Sequence, residues 1–143
     1  MQLPIKAHYA SLAMLALARQ HQSGQLLTAR TIAQEHEIPI QFLGQILQQL
    51  RTAGLIVSSR GSSGGFRLGR NPDSITMASV VEAVCSGSCN DYASSGETND
   101  PDHNIVSDVW RELSELQSQF LEKLTLGELL RRAMPVTSGM FYI

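Results

Sequence analysis

The sequence predicts a mainly α-helical chain that contains one small β-hairpin. Apolar residues recur at three- and four-residue spacing through most of its 143 residues, which is the period of amphipathic helices. The period becomes strand-like only at about 55–70, where the Gly-rich run Arg60–Gly65 predicts a turn between two strands. The length suits one domain, and a composition of 43% hydrophobic and 17% charged residues excludes a disordered chain. No apolar run reaches the roughly 18 residues of a membrane span, so we expect no membrane partner.

Two helices are predicted at the start of the chain. The first runs from His8 to about Gln22, contains no Gly or Pro, and ends at Ser23-Gly24. Thr28 then stands at an N-cap position, and Thr28–His36 is long enough for a short second helix.

A third helix is predicted to follow Pro39. Proline suits the first turn of a helix, and it disfavours helical geometry in the residue before it, so Glu37-Ile38 is expected to be extended. Gly54 ends this helix. Its predicted buried face consists of Phe42, Leu43, Ile46, Leu47 and Leu50.

The hairpin is predicted from two strand-like segments, Leu55–Ser59 and Phe66–Leu68, on either side of the Gly-rich turn. Three short helices followed by a two-stranded hairpin is the order of a winged helix-turn-helix. In that fold the second helix of the turn enters the DNA major groove, and the hairpin, called the wing, lies along the backbone or in the minor groove. We place this domain at residues 1–84, with the wing at about 55–70.

The second half is predicted to contain a loop and a long helix. Thr76 caps a helix with apolar residues from Met77 to Val84, and residues 85–104 then form a loop long enough to be functional. Residues 105–134 hold the long helix Ile105–Lys123 and a short final helix, Leu126–Ala133, for which Thr125 is the predicted cap; residues 135–143 form a tail.

An apolar stripe runs along the long helix. Burial against its own domain is one explanation, but a winged domain of three helices is already closed, so we expect the stripe to pack on a second copy. The predicted dimerisation residues are Val106, Val109, Trp110, Leu113, Leu116 and Phe120.

The net charge of −2 is divided unevenly along the chain. Residues 1–72 hold seven Lys or Arg and two acidic residues, a net +5, whereas residues 73–143 hold four basic and eleven acidic residues, a net −7. A basic first half predicts a polyanionic partner for that half alone.

Particular side chains suit DNA. Four arginines stand at the end of the third helix and along the wing, where phosphates would lie: Arg51, Arg60, Arg67 and Arg70. The amides of Gln41, Gln45 and Gln48 match adenine edges, although each also suits a merely solvated helix face. Arg60 has glycines on either side of its turn, which allow the backbone to approach a groove closely.

Several motifs resemble the Rrf-two family of winged helix-turn-helix transcriptional regulators, whose members are IscR- and NsrR-like. They are Ile38-Pro39-Ile40-Gln41-Phe42-Leu43, the segment Leu50–Ile56, and Arg60-Gly61-x-x-Gly64-Gly65-Phe66-x-Leu68. Val109-Trp110-Arg111-Glu112-Leu113 and Leu124–Leu129 are similar as well. The resemblance implies a homodimer on an inverted-repeat DNA operator, with base-reading positions at Pro39, Gln41, Phe42, Gly44 and Arg60. Family members often carry a carboxylate where this chain has Gly44. The full predicted DNA-contacting set is Thr28, Pro39, Gln41, Phe42, Gln45, Arg51, Arg60, Gly61, Gly64, Gly65 and Arg67.

The resemblance also raises an iron–sulfur cluster, because many family members hold one with three cysteines in the loop before the long helix. This chain has only Cys85 and Cys89 there, and a cluster needs four ligands. One interpretation is a mixed-ligand [2Fe-2S] site completed across the dimer, with candidate ligands Cys85, Cys89, His8 and His36, and His103 as a further candidate. The other is a protein without a cofactor, in which the two thiols are structural or form a metal-free switch.

The predicted function is a dimeric, sequence-specific DNA-binding regulator, a repressor, that senses redox or iron–sulfur status through the Cys85/Cys89 loop. The alternative is a winged-helix module that binds proteins and not DNA. An enzyme is disfavoured because no set of nucleophile, base and orienting residue is visible. Two cysteines in a chain of this size, and a start with a single Lys6 that makes a poor secretory leader, predict a cytoplasmic protein.

Overall fold

The computed structural model describes residues 4–85 and 98–133. The elements are α1 (Ile5–Arg19), α2 (Ala29–His36), α3 (Ile40–Thr52), β1 (Ile56–Ser59), β2 (Gly65–Leu68), a 3₁₀ turn (Pro72–Ser74), α4 (Met77–Cys85), α5 (Pro101–Lys123) and α6 (Leu126–Ala133). A mainly helical chain with one antiparallel hairpin is therefore confirmed.

Helix α1 is the centre of the core, since α3, α4 and α6 all pack on it. Its buried face is rich in alanine, with Ala10 and Ala13 fully buried beside Met14 and Leu17. Small side chains let neighbouring helices approach closely while the two large ones fill the space between them. Helix α1 begins at Ile5 and ends at Arg19, three residues earlier at each end than expected.

The turn between α2 and α3 differs from the prediction. Glu37 is not extended: it has φ 54° and ψ 44° and caps the end of α2 in the left-handed conformation. The N–H of Ile38 donates to the carbonyl oxygen of Ala33 at 3.0 Å, which closes the end of the helix. The helix C-cap therefore overrides the extended preference expected two residues before Pro39.

The hairpin pairs Ile56 with Leu68 and Ser59 with Gly65. An additional bridge joins it to the segment before α2, because Leu27 and Phe66 exchange N–H···O hydrogen bonds of 3.0 and 2.7 Å. This bridge, which the sequence did not indicate, ties the wing to the helical core.

Helix α5 begins at Pro101, four residues earlier than predicted. Asp100 is its N-cap, with Oδ1 accepting from the N–H of Asp102 at 3.0 Å, and proline occupies the first position. At the other end, a bridge between Thr76 and Thr125 joins the start of α4 to the start of α6. Helix α6 has the predicted bounds, and Thr125 caps it with a 3.1 Å hydrogen bond from the N–H of Glu128. Residues 86–97 of the predicted loop and the tail lie outside the described residues.

Candidate DNA-binding surface

Helix α3 has one buried side and one open side. At about 100° per residue, Leu43, Ile46, Leu47 and Leu50 share the side that faces the core, and all four are buried. Phe42 does not join them: it is 48% exposed, so its assignment to the buried face was wrong. Its exposure leaves the predicted base-reading role at this position available.

The open side of α3 carries the predicted base-reading residues. Gln41 and Gln45 are exposed one helical turn apart, and Gly44 lies between them with nothing within 4 Å of where its Cβ would be. Pro39 is exposed at the N-cap. Gln41, Gly44 and Gln45 therefore lie on one face at the start of α3, and Pro39 directly precedes the helix.

The glycines of the wing are required by the chain itself. A Cβ at Gly64 would collide with the carbonyl oxygen of Ser59, and one at Gly65 would lie 2.7 Å from the carbonyl oxygen of Leu27. Gly61 has φ 114°, a conformation that side-chain-bearing residues rarely adopt. The backbone packed against Gly64 and Gly65 therefore explains why both positions are glycine. The sequence-based prediction explained the glycines of this turn by a close approach to a DNA groove instead.

Four arginines, which we name the arginine cluster, line the end of α3 and the wing: Arg51, Arg60, Arg67 and Arg70. All four are exposed. Nη1 of Arg51 donates to Oγ of Ser58 at 3.3 Å, which ties the end of α3 to the first strand of the wing. Arg67 stands opposite Val57 in the hairpin.

None of these four arginines forms an ion pair with a described carboxylate. The ion pairs found in residues 4–85 and 98–133 lie on the 3₁₀ turn, α5 and α6, and involve Arg111, Arg131 and Arg132. The carboxylates of Glu128, on α6, and of Asp73, on the 3₁₀ turn, raise the pKa of Arg131. The charge division seen in the sequence is therefore also spatial, with uncompensated cations on the wing side.

Thr28 has a structural role at the start of α2. Its Oγ1 accepts from the N–H of Thr31 at 3.1 Å, so it is the N-cap that the sequence predicted. The side chain is exposed, which leaves its predicted contact with DNA open.

Helix α5 presents its apolar stripe to solvent. None of its residues is buried, and the six predicted dimerisation residues are 39–61% exposed. Ile105 is also exposed, by 63%. It was not among the predicted dimerisation residues because the helix was expected to begin at this residue. Six large apolar residues on one helix face are unusual for a surface that water covers.

Comparison with known proteins decides the family. The Rrf2 (Rrf-two) family profile, described as an iron-dependent transcriptional regulator, matches residues 3–132. The chain belongs to the Rrf2 family. The transcriptional regulator IscR of Vibrio campbellii is 36% identical over 132 residues, covering 92% of this chain and 78% of the relative. IscR of Aliivibrio salmonicida is 37% identical over 138 residues, with 91% and 77% covered.

Solved structures of Rrf2 regulators agree. The fold matches T. potens IscR with a TM-score of 0.80 and 26% identity, over 99% of this chain and 97% of that one. It matches CymR, the global cysteine regulator of B. subtilis, with a TM-score of 0.77 and 26% identity, over 93% and 98%. The predicted winged helix-turn-helix fold is confirmed. As an Rrf2 member the protein is a DNA-binding transcriptional regulator, and its relatives are named as regulators, which supports this function over an enzyme and over a module that binds only proteins.

In this Rrf2 chain, the predicted cluster ligands do not come together. Cys85 is the last residue of α4 and its thiol is buried, while His8 is exposed on α1. His36 ends α2, and its buried Nε2 has no hydrogen-bond partner among the described residues. His103 is exposed, with Nδ1 3.4 Å from Oγ of Ser107. Cys89 lies outside the described residues.

The described residues of one chain do not fit an iron–sulfur cluster. No group of three or more His, Cys, Asp or Glu side chains among them is arranged to hold a metal ion, and a cluster needs four ligands. A cluster would therefore require residues 86–97, a second copy of the chain, or both.

Two surface grooves lie away from the arginine cluster. One, of about 860 Å³, lies between the end of α1, the 3₁₀ turn and α6, and includes Arg19 and His21. The other, of about 750 Å³, lies between α5 and α6. Neither is lined by a predicted DNA-contacting residue. None of the helices in the described ranges combines the length and apolar composition that a membrane span requires.

Proposed function

We propose that the protein is a dimeric repressor that binds an inverted-repeat DNA operator with α3 and the wing of each copy. The observation that carries this proposal is the arginine cluster, four exposed cations that no described carboxylate neutralises. An uncompensated basic surface beside the exposed side of α3 suits a duplex, whose phosphates supply the missing charge. A dimer bound to its operator represses transcription by excluding other proteins from that stretch of DNA. Such a role places the protein in the cytoplasm.

The dimer is proposed to form through the apolar stripe of α5. Burial of the stripe against a second copy would remove six large apolar side chains from water, and a two-fold axis would present two α3 helices to one duplex. In sedimentation equilibrium, Leu116→Glu should shift the protein from dimer to monomer. Gln119→Glu is the matched control, because it adds the same charge to the same helix outside the stripe. Equal association of the two variants would contradict this dimer.

Operator binding is tested by selection from a randomised duplex library, followed by footprinting of the full chain on the selected site. The proposal predicts an enriched inverted repeat that is protected at two half-sites. Recovery of unenriched DNA, with no footprint, would refute it. The yield of run-off transcription across the selected site should fall as the protein is added. A rise in yield would show that the protein is an activator and would contradict the proposed repressor.

Signal sensing is proposed for the segment that begins at Cys85. Helix α4 ends there after packing on α1, α3 and α5, so a change at this point can shift the dimer helix relative to the winged domain. The input is either a mixed-ligand [2Fe-2S] cluster shared between copies or a metal-free change of the two thiols.

The absorption spectrum of protein purified without oxygen separates these two inputs. Visible bands with stoichiometric iron and sulfide, lost in Cys85→Ser and kept in His21→Ala, would establish the cluster. A colourless, iron-free protein that binds its operator would exclude the cluster and leave the metal-free alternative.

A further inference from the structure

The open side of α3 has an uneven chemistry. Its centre carries a stripe of exposed amides, Gln41, Gln45 and Gln48, at the i, i+4, i+7 spacing that keeps side chains on one face. Two exposed apolar side chains flank the stripe, Ile40 at 53% and Phe42 at 48%. Ordinary burial explains neither, because both project away from the core.

Charged side chains are missing from this face of α3. In the whole of Ile40–Thr52 the only charged residue is Arg51, at the far end. Ten residues separate it from Gln41, or about 15 Å along the helix axis, and its guanidinium donates to Oγ of Ser58 on the wing. The preceding acidic residues, Glu35 and Glu37, belong to α2 and its cap.

Each base pair presents a different pattern of hydrogen-bond donors, acceptors and methyl groups in the major groove. Guanine is read best by Arg or Lys, and the amino group of cytosine by a carboxylate, neither of which the start of α3 supplies. Adenine is read by the paired donor and acceptor of a glutamine amide, and the 5-methyl group of thymine by apolar side chains. The start of α3 therefore carries an amide for the adenine and an apolar side chain for the thymine of an A·T pair.

We propose that this face selects A·T base pairs, with the amides of Gln41 and Gln45 on adenine and the side chains of Ile40 and Phe42 on thymine methyl groups. Gly44 supports the contact, because the open space at its Cβ position lets bases approach the stripe. The wing favours the same composition: A-tracts have a narrow minor groove that attracts arginine, and Arg60 lies at the tip. This inference rests on the proposed function, and it adds that the half-sites bound by α3 are rich in A·T pairs.

The test uses the full chain and base analogues in the duplex selected from the random library. Replacing a contacted thymine by uracil removes only its methyl group, and should weaken wild-type binding about fourfold per half-site. Replacing a contacted adenine by 7-deazaadenine removes only N7, and should weaken binding on the order of tenfold.

The variants assign these losses to residues. Ile40→Ala and Phe42→Ala should remove the discrimination between thymine and uracil, and Gln41→Ala that between adenine and 7-deazaadenine. Matched controls far from α3 are Ile5→Ala and Gln22→Ala, which should keep both. Melting temperatures confirm that each variant folds.

The outcomes separate this inference from the proposed function. Selected half-sites with G·C pairs at their protected major-groove positions, or wild-type binding unaffected by uracil, would overturn A·T selection while leaving a DNA-binding repressor intact. Failure to enrich any sequence would overturn both.

Discussion

Removal of the Arg60 guanidinium should change how operator binding depends on salt. Arg60 lies exposed at the tip of the wing and has no ion pair among the described residues, so in the minor groove its charge would neutralise the phosphates that border the groove. The matched control is Arg19→Ala, because Arg19 is also exposed but lies at the end of α1 beside the groove with α6.

The magnitude follows from the arginine cluster. If each of its four arginines neutralises one phosphate, a dimer neutralises about eight, and the slope of log K against log salt is about −7. Arg60→Ala removes about two of these contacts from the dimer, which brings the slope to about −5. Between 50 and 200 mM salt, the wild type should therefore lose roughly 10⁴-fold in affinity and the variant roughly 10³-fold.

Fluorescence anisotropy on the selected duplex at four salt concentrations measures both slopes. Arg19→Ala should keep the wild-type slope. A wild-type slope shallower than about −3, or equal slopes for Arg60→Ala and Arg19→Ala, would refute the assignment of the arginine cluster to phosphates.

Further predictions concern stability, measured by denaturant unfolding. Gly65→Ala should lower the free energy of unfolding by about 2–3 kcal/mol, because its Cβ would lie 2.7 Å from a backbone carbonyl oxygen, whereas Gly44→Ala, in open space within a helix, should raise it by about 1 kcal/mol. Leu47→Ala should cost about 2–5 kcal/mol from a buried position, and Phe42→Ala less than about 1 kcal/mol while weakening operator binding. Thr28→Ala should cost about 1 kcal/mol through loss of the cap. An unchanged free energy of unfolding in Gly65→Ala, Leu47→Ala or Thr28→Ala would contradict the contact invoked, and a lowered one in Gly44→Ala would contradict the open space at that position.

Much of the fold was predictable because local signals agree with tertiary packing. The buried side of α3 followed from the spacing of Leu43, Ile46, Leu47 and Leu50, and the bounds of α6 from Thr125 and its apolar residues. These signals are local, so the sequence carries them without knowledge of the neighbouring elements.

The errors came where several local signals compete or where a contact is distant. Phe42 lies at the edge of the apolar arc of α3, where spacing alone does not decide between core and solvent. Helix α5 begins earlier than predicted because Asp100-Pro101 is typical both of a loop and of a helix start, and composition alone does not decide between them. The bridge of Leu27 to Phe66 joins single residues far apart in the chain and leaves no periodic signal.

The candidate site was predicted through its charge and its motifs more than through geometry. The positions of Arg51, Arg60 and Arg67 followed from the winged order of elements, and the structure adds that no described carboxylate neutralises them. The packing reason for Gly64 and Gly65 was not accessible, because it depends on the carbonyl oxygens that face them.

The central claim is that two copies of the chain each read one half of an operator. Affinity is measured for the selected inverted repeat and for the same duplex with one half-site scrambled, at one salt concentration. If two copies read half-sites that lie one helical turn or a multiple apart, scrambling one half-site should lower the affinity roughly 100-fold or more. Equal affinity for the two duplexes would contradict the account.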